Sequence, residues 1–493
     1  VPTMLLPDLL ADVEVIRILG PAAPDVRAVV HDSRRVTPGA LFAAVPGATT
    51  DGHDHVDEAL RRGAVAVLVE REVAAGVTQV LVDSVRRAIG PVAAAAAGRP
   101  SEALRVLGVT GTNGKTTVTH LLEGIGAAAG ARTGVIGTLG ARIDGTEIPV
   151  GFTTPEAPDL QALLATMRER GAAAVAMEVS SHALAQHRVD GTRFAAACFT
   201  NLTHDHLDFH ATMGEYFAAK ARLFTRAFTE RAAIDIDDDH GVELEARATG
   251  AGLEVTTFGL GGAADVTARD VVTGPRGTDF VLCLRAAGIE VPAHLELIGR
   301  VNVANALGAA ATALVTGTDP AAIVAGLATT APVPGRLERV DAGQDFTVLV
   351  DYAHTPEALA TVLRDARALA EGGRVILVFG CGGDRDAAKR PVMGAVAATH
   401  ADLAVLTADN SRSEDPAVIA DAVLAGLRSG PARHTVELDR RAAIAVAIDA
   451  AQAGDVVVVA GKGHESGQTV GGVTTPFDDR TVTRELLEGA TCR

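Results

Sequence analysis

The amino-acid sequence predicts an α/β protein of three domains. The chain has 493 residues, and at about 150 residues per domain that length suggests three separate cores. Hydrophobic residues make up 48% and aromatic residues only 3%, with no Trp. Such cores must be built from Ala, Val and Leu, as in helix-covered parallel sheets. Short apolar runs alternate with helical patterns along most of the chain, which is the signature of βαβ units.

Residues 1–98 mix runs such as AVAVLVE (64–70) and QVLVD (79–83) with Gly-rich turns, and predict a small α/β domain. GRPSEA (98–103) reads as a linker, because Gly, Pro and Ser break the pattern. A central domain is expected over 99–334. In it strand RVLGVT feeds helix KTTVTHLLEGIGAAAG, and helix PEAPDLQALLATMRERG feeds strand AAAVAMEVSS. TTAPVPGR (329–336) marks a second break. Beyond it FTVLVDYA, a helix from about 356, RVILVFG, DLAVLTA and DVVVVAG predict a Rossmann-like domain over 335–493.

Composition excludes several classes. Lys and Arg total 44 against 61 Asp and Glu, a formal net charge of −17. An acidic chain of this kind is not expected to bind nucleic acid or anionic membranes. No apolar run reaches the roughly 18 residues of a membrane span. The first residues, VPTMLLPDLLADVEV, lack a basic region and do not read as a signal peptide. Cys198, Cys283, Cys381 and Cys492 lie far apart without a CxxC pair, which argues against a disulfide framework or thiolate zinc site. A soluble cytoplasmic protein is expected.

The strongest local signal is Gly108-Val-Thr-Gly111-Thr112-Asn113-Gly114-Lys115-Thr116-Thr117. It follows a strand and opens a helix, so backbone N–H groups and the helix dipole can cradle phosphates. Lys115 is placed to reach the β- and γ-phosphates and the Thr116 hydroxyl to bind Mg²⁺. The spacing departs from the usual P-loop. Val109 stands where that loop has its first Gly, and Gly111 sits inside the loop. The motif predicts nucleotide binding and leaves hydrolase, kinase and ligase open.

Two further segments carry chemistry. Met177-Glu178-Val-Ser180-Ser181-His182 closes a strand at its C-terminal end, where ligands sit in parallel sheets. Asn201-Leu-Thr-His204-Asp205-His206-Leu-Asp208-Phe-His210 gathers metal-capable side chains after another apolar strand. Beside a phosphate loop they fit Mg²⁺, which phosphoryl transfer needs to neutralise charge; a capped, solvated helix start is the alternative. Glu215–Phe224 reads as an amphipathic helix, on which Lys220 is expected to face solvent.

Taken together these segments resemble the Mur ligase family, ATP-dependent amide-bond synthetases that build the peptidoglycan precursor peptide. GTNGKTT, EVSSH, TNLxxDHLDxH and AAK occur here in family order. So do Gly299-Arg-Val-Asn302-Val-Ala-Asn305, Pro334-Gly335-Arg336, Asp351-Tyr352-Ala-His354-Thr-Pro356 and Gly461-Lys462-Gly463-His464-Glu465. Within the family the chain looks most like the branch that adds the third residue. His31-Asp32-Ser33-Arg34 resembles its uridine-binding domain. Thr153, Thr154, Ser180, Gln186 and Arg188 match its contacts to UDP-N-acetylmuramoyl-L-Ala-D-Glu. Arg385, Asp409, Asn410, Ser411, Arg412, Gly461 and Glu465 match its amino-acid pocket.

The resemblance implies that ATP phosphorylates the D-Glu side-chain carboxylate and that an incoming amine attacks the acyl phosphate. Lys115, Lys220, His206 and Glu178 are the implied catalytic residues. Gly111, Thr112, Asn113, Gly114, Lys115, Thr116 and Thr117 would hold ATP, with Asn302 at adenine and Arg336 and Asp351 closing from the third domain. Thr116, Glu178, His206 and Lys220 would hold two Mg²⁺ ions, Lys220 after carbamylation by CO₂. The amino acid is expected to be meso-diaminopimelate, because a guanidinium such as Arg412 grips a distal carboxylate in bidentate fashion. The family's Asp-Asn-Pro-Arg stands here as Asp409-Asn410-Ser411-Arg412. Ser411 frees φ and restores an N–H. It leaves open LL-diaminopimelate, lysine or a secondary-metabolite amide ligase. Folylpolyglutamate synthase and a non-catalytic nucleotide-binding subunit are further alternatives. A monomer without nucleic-acid or membrane partners is expected.

Overall fold

The computed structural model describes residues 3–21, 24–47, 50–370 and 372–491. Three main sheets account for most strands. The first has five, in the order Arg17–Leu19, Thr78–Leu81, Ala66–Val69, Ala40–Ala43 and Ala28–Val30. All pair in parallel except Arg17–Leu19. Its inner strands Ala40–Ala43 and Ala66–Val69 are buried, four-residue apolar runs, as expected for a sheet covered on both faces.

The second sheet has eleven strands. At its centre Arg105–Thr110 lies between Ala174–Glu178 and Ala196–Phe199, all parallel. One face packs against helices Lys115–Ala128, Arg300–Val315 and Pro320–Thr329. The other packs against Ala157–Glu169, Met213–Ala221 and Asp239–Gly250. Three long antiparallel strands, Val266–Gly274, Gly277–Leu284 and Ile289–Leu295, extend one edge. The third sheet has six strands in the order Glu338–Arg339, Thr347–Asp351, Val456–Ala460, Val375–Phe379, Leu403–Leu406 and Arg433–Val436. Only Glu338–Arg339 is antiparallel.

The segment GRPSEA is not an extended linker. Arg99 is left-handed at φ 47°, and Pro100–Ala103 forms one helical turn, because Pro suits the first helical position. The first sheet's helix Val85–Ala96 meets the central domain through the Arg86–Glu156 ion pair and, at one point, through backbone packed directly on backbone. A Cβ on Gly90 would sit 2.1 Å from the Asp190 carbonyl oxygen, and one on Gly191 would sit 2.6 Å from that of Gly90. The third sheet reaches the central one through side chains: Arg336 Nη2 lies 3.3 Å from Thr116 Oγ1, and His204 Nε2 lies 3.3 Å from Asp386 Oδ2.

Cys198, Cys283 and Cys381 are free and buried, and Cys492 lies outside the described residues. Among the described residues no helix is long and apolar enough to cross a membrane.

Candidate active site

The phosphate loop leaves the central strand at Thr110. Gly111 has φ +148° and a Cβ there would meet Thr200 Oγ1 at 1.9 Å; Gly114 has φ +86° and would meet Asn305 Oδ1 at 2.3 Å. Both positions require Gly for conformation and for space. The loop is pinned from the neighbouring strand. Asn113 N–H donates to Asn201 Oδ1 at 2.9 Å, and the Thr112 hydroxyl pairs with Tyr216 OH at 3.1 Å. Thr117 is buried on the first helical turn.

Two lysines converge on one carbonyl. Lys115 Nζ donates to Gly111 O at 2.9 Å and to Thr112 O at 2.8 Å. Lys220 Nζ donates to the same Gly111 O at 2.7 Å and lies 4.4 Å from the Tyr216 ring centroid. Lys220 is 1% exposed, contrary to the solvent-facing position its helix pattern suggests. Burial, and then the charge of Lys115, hold its amine well below the usual lysine range. Burial likewise lowers Lys115, opposed by Glu178 and Asp205. The site thus holds a lysine biased towards the neutral amine next to a second cation.

Glu178 faces this pair and is 1% exposed. Its Oε1 accepts from the Thr116 hydroxyl at 3.0 Å and from Thr138 N–H at 2.8 Å. His206 stands at φ +56° and is 43% exposed. Burial of the rest of the ring pushes it down to about 4, against the pull of Asp205. The histidines of the His204–His210 segment point to different partners. His204 turns to Asp386, His206 to Asp205 at 3.5 Å and His210 to Ser181 Oγ at 2.9 Å. Among the described residues no three His, Cys, Asp or Glu converge as a metal group. That sparse oxygen-rich set still fits Mg²⁺, which keeps several waters and takes one or two carboxylates plus substrate phosphates.

Beyond Glu178 lies a polar shelf. Thr154 Oγ1 donates to Glu178 O at 2.9 Å and accepts from Ser180 N–H at 3.1 Å. Thr153 Oγ1 is 3.3 Å from Thr138 Oγ1. Arg188 donates to Gln186 Oε1 at 2.6 Å and to Thr154 O at 3.2 Å, and stacks 4.7 Å from the exposed Phe152 ring. Glu156 joins Arg188 at 3.0 Å and Arg86 of the first domain at 2.8 Å. Ser33, in that first domain, donates to Glu58 Oε2 at 2.7 Å.

The nucleotide-side residues are less open than the sequence suggests. Asn302 is spent internally: its Nδ2 donates to Ile298 O at 2.8 Å and its Oδ1 accepts from Asn305 at 3.1 Å. Asp351 accepts the N–H groups of Leu337 and Ala353, each at 2.7 Å, and burial raises its carboxyl. Arg336, by contrast, stacks 4.6 Å from the Tyr352 ring and reaches Thr116.

The Asp409–Arg412 loop follows strand Leu403–Leu406. Asn410 Nδ2 donates to Glu465 Oε2 at 2.7 Å. Arg412 has φ +52°, and its Nη1 donates to Gly383 O at 2.6 Å. Gly461 packs against Asp409, whose Oδ2 lies 2.4 Å from where a Cβ would be. Two expected contact residues are placed differently. Arg385 is exposed. Ser411 is 1% exposed and its hydroxyl has no partner among the described residues, so that hydroxyl does not face the cleft.

Comparison with known proteins places this arrangement. Residues 25–100 match the description "Mur ligase family, catalytic domain", 109–313 "Mur ligase middle domain" and 335–463 "Mur ligase, glutamate ligase domain". The chain is 47% identical over 485 residues to UDP-N-acetylmuramoyl-L-alanyl-D-glutamate--2,6-diaminopimelate ligase of Streptomyces coelicolor, covering 95% of each. The chain belongs to the Mur ligase family. The protein of that name from Geobacillus thermodenitrificans is 45% identical to this Mur ligase, covering 94% of the chain and 95% of the relative. A solved structure of such a diaminopimelate ligase superposes with TM-score 0.73 at 32% identity over the whole of both chains.

Motif spacing missed several residues of this Mur ligase. Tyr216 and Thr138 hold the loop and Glu178 but belong to no motif. Lys462 sits inside the GKGHE motif and is fully buried. Arg440 and Asp479 form an ion pair with both side chains at 0% exposure, and only a buried-charge pattern 39 residues apart could have signalled it.

Proposed function

We propose that this chain adds 2,6-diaminopimelate to the D-Glu of UDP-N-acetylmuramoyl-L-Ala-D-Glu, consuming ATP. The observation that carries the reading is the facing of two loops. The phosphate loop with Lys115 and Lys220 meets the third domain through Arg336 and Thr116, 3.3 Å apart. The first domain holds the uridine diphosphate through the Ser33 region, the central domain ATP, and the third the amino acid. Thr153, Thr154, Ser180, Gln186 and Arg188 align the dipeptide so that the D-Glu side-chain carboxylate lies by Lys115. A carboxylate oxygen attacks the γ-phosphorus, ADP leaves, and Lys115 balances the charge on the transferred group. The amino group of diaminopimelate then attacks the acyl carbon, and phosphate leaves. Closure of the third domain keeps water from the acyl phosphate.

Thr116, Glu178 and His206 would hold Mg²⁺, which supplies charge neutralisation on the phosphates. Burial holds the Lys220 amine well below the usual lysine range, which favours the neutral form that CO₂ can carbamylate, and as a carbamate it would supply an anion for a second ion. The chain works as a monomer in the cytoplasm. Phosphate release with ATP, Mg²⁺ and the UDP-muramoyl dipeptide tests the reading. Meso-diaminopimelate should stimulate it and lysine or ornithine should not. Stimulation by lysine alone, or by no diamino acid, refutes it.

A further inference from the structure

Lys462 is a cation with 0% side-chain exposure. Its three N–H groups each find an acceptor: Gly467 O at 2.5 Å, Glu465 Oε2 at 3.1 Å and Asn410 Oδ1 at 3.3 Å. Asn410 Oδ1 also accepts from Thr469 N–H at 2.9 Å. Two donors on one atom fix the amide, so Nδ2 must point to Glu465 Oε2. One Nδ2 hydrogen and Glu465 Oε1 remain uncommitted among the described residues. Glu465 itself is 31% exposed, so this free edge is the part that meets the cleft.

The electrostatic consequence concerns choice of substrate. A lone ammonium arriving at Glu465 meets a carboxylate already balanced from behind by a buried charge. An amino–carboxyl centre brings its own anion, which the Arg412 guanidinium can take. We infer that Lys462 is a positioning residue that makes this pocket select an amino–carboxyl centre over a bare side-chain ammonium. The inference rests on the third domain being the amino-acid site.

The test is steady-state kinetics of Lys462→Met in the full chain, with lysine as a competing ligand. Loss of a charged hydrogen-bond donor should raise KM for meso-diaminopimelate roughly 10- to 100-fold. KM for ATP should stay within about twofold. The inhibition constant of lysine should fall or hold, so the ratio of the two constants contracts at least about tenfold. Lys462→Arg, which keeps the charge, should recover part of that ratio. An unchanged ratio, or parallel shifts for ATP and diaminopimelate, overturns the inference. If Lys462→Met does not fold, Glu465→Gln examines the pair from its other side. With Lys462 unopposed, lysine should lose more affinity than diaminopimelate, and equal losses overturn the inference. A wild-type chain that uses no diamino acid overturns the functional reading and this inference together; failure in the variants alone overturns only the inference.

Discussion

Replacing Arg440 with Met would remove one half of a charge pair that no water reaches. Arg440 Nε and Nη2 donate to the two carboxylate oxygens of Asp479, each at 2.7 Å, and Nη2 also donates to Ala460 O at 2.9 Å. Both side chains have 0% exposure. The substitution leaves Asp479 buried and unpaired, which costs about 3–5 kcal/mol. For a folding unit of this size, 1 kcal/mol moves the midpoint by about 2–4 °C, so the transition should fall by roughly 6–20 °C. Scanning calorimetry on the full chain checks it. A chain with three cores should unfold in more than one step, and only the step of the third domain should move. Removing both charges, as in Arg440→Met with Asp479→Leu, should restore most of the loss, since a well-packed apolar pair replaces a buried ion pair at little cost. A shift under about 2 °C in the single variant, or a double variant worse than both singles, refutes the reasoning.

Four further outcomes are expected. Gly111→Ala should weaken ATP binding roughly 10- to 100-fold, from the strained conformation and the clash with Thr200; calorimetric titration with a non-hydrolysable analogue reads it. His120, 7% exposed, takes 2.7 Å and 2.9 Å contacts from Thr116 O and Arg142 and is pushed down to about 3, first by burial and then by Arg142. Between pH 6.5 and 3 the unfolded chain binds a proton that the folded chain refuses, so stability falls as pH drops through that window. Urea unfolding should show that His120 contributes about 2 kcal/mol of the stability lost between pH 7 and pH 5, a share that His120→Gln should remove. Ser411→Pro should stabilise by about 0.4–1 kcal/mol with KM for the diamino acid within twofold, because neither the hydroxyl nor the N–H of Ser411 is used; a loss above about 1 kcal/mol contradicts that placement. Lys220→Ala should cut turnover at least about 100-fold and regain part of it with formate or acetate, which a rate assay with added carboxylates decides.

Most of the central chemistry was legible because it is contiguous. A phosphate cradle needs successive backbone N–H groups, so Gly111–Thr117 had to be written as one stretch. The parallel strands were legible for a similar reason: strands buried on both faces read as unbroken apolar runs. The long antiparallel extension was not, because a register shift between Arg269 and Val272 interrupts the two-residue period. Lys220 shows a different limit. Its helix pattern is ordinary, and its burial depends on a carbonyl 109 residues earlier in the chain. Arg440 escaped for the same reason, since its partner Asp479 lies 39 residues on; Lys462 stands in a motif, but motif spacing carries no sign of its burial or of Asn410, 52 residues before it. Asn302 and Ser411 turn inward, and motif spacing carries no information on side-chain direction.

The Gly90–Gly191 contact bears on how such proteins can be recombined. Where the two backbones touch, no side chain lies between them, so that part of the joint has no adaptable layer in which a mismatched partner could be absorbed. A chimera that exchanges the first 98 residues for those of a relative should therefore assemble only if the graft supplies a glycine at position 90 to face the retained Gly191. At the third domain the tight spot is backbone against side chain, where a Cβ on Gly299 would sit 2.4 Å from the Asp365 carboxylate, so that module is the freer one for evolution or design to exchange.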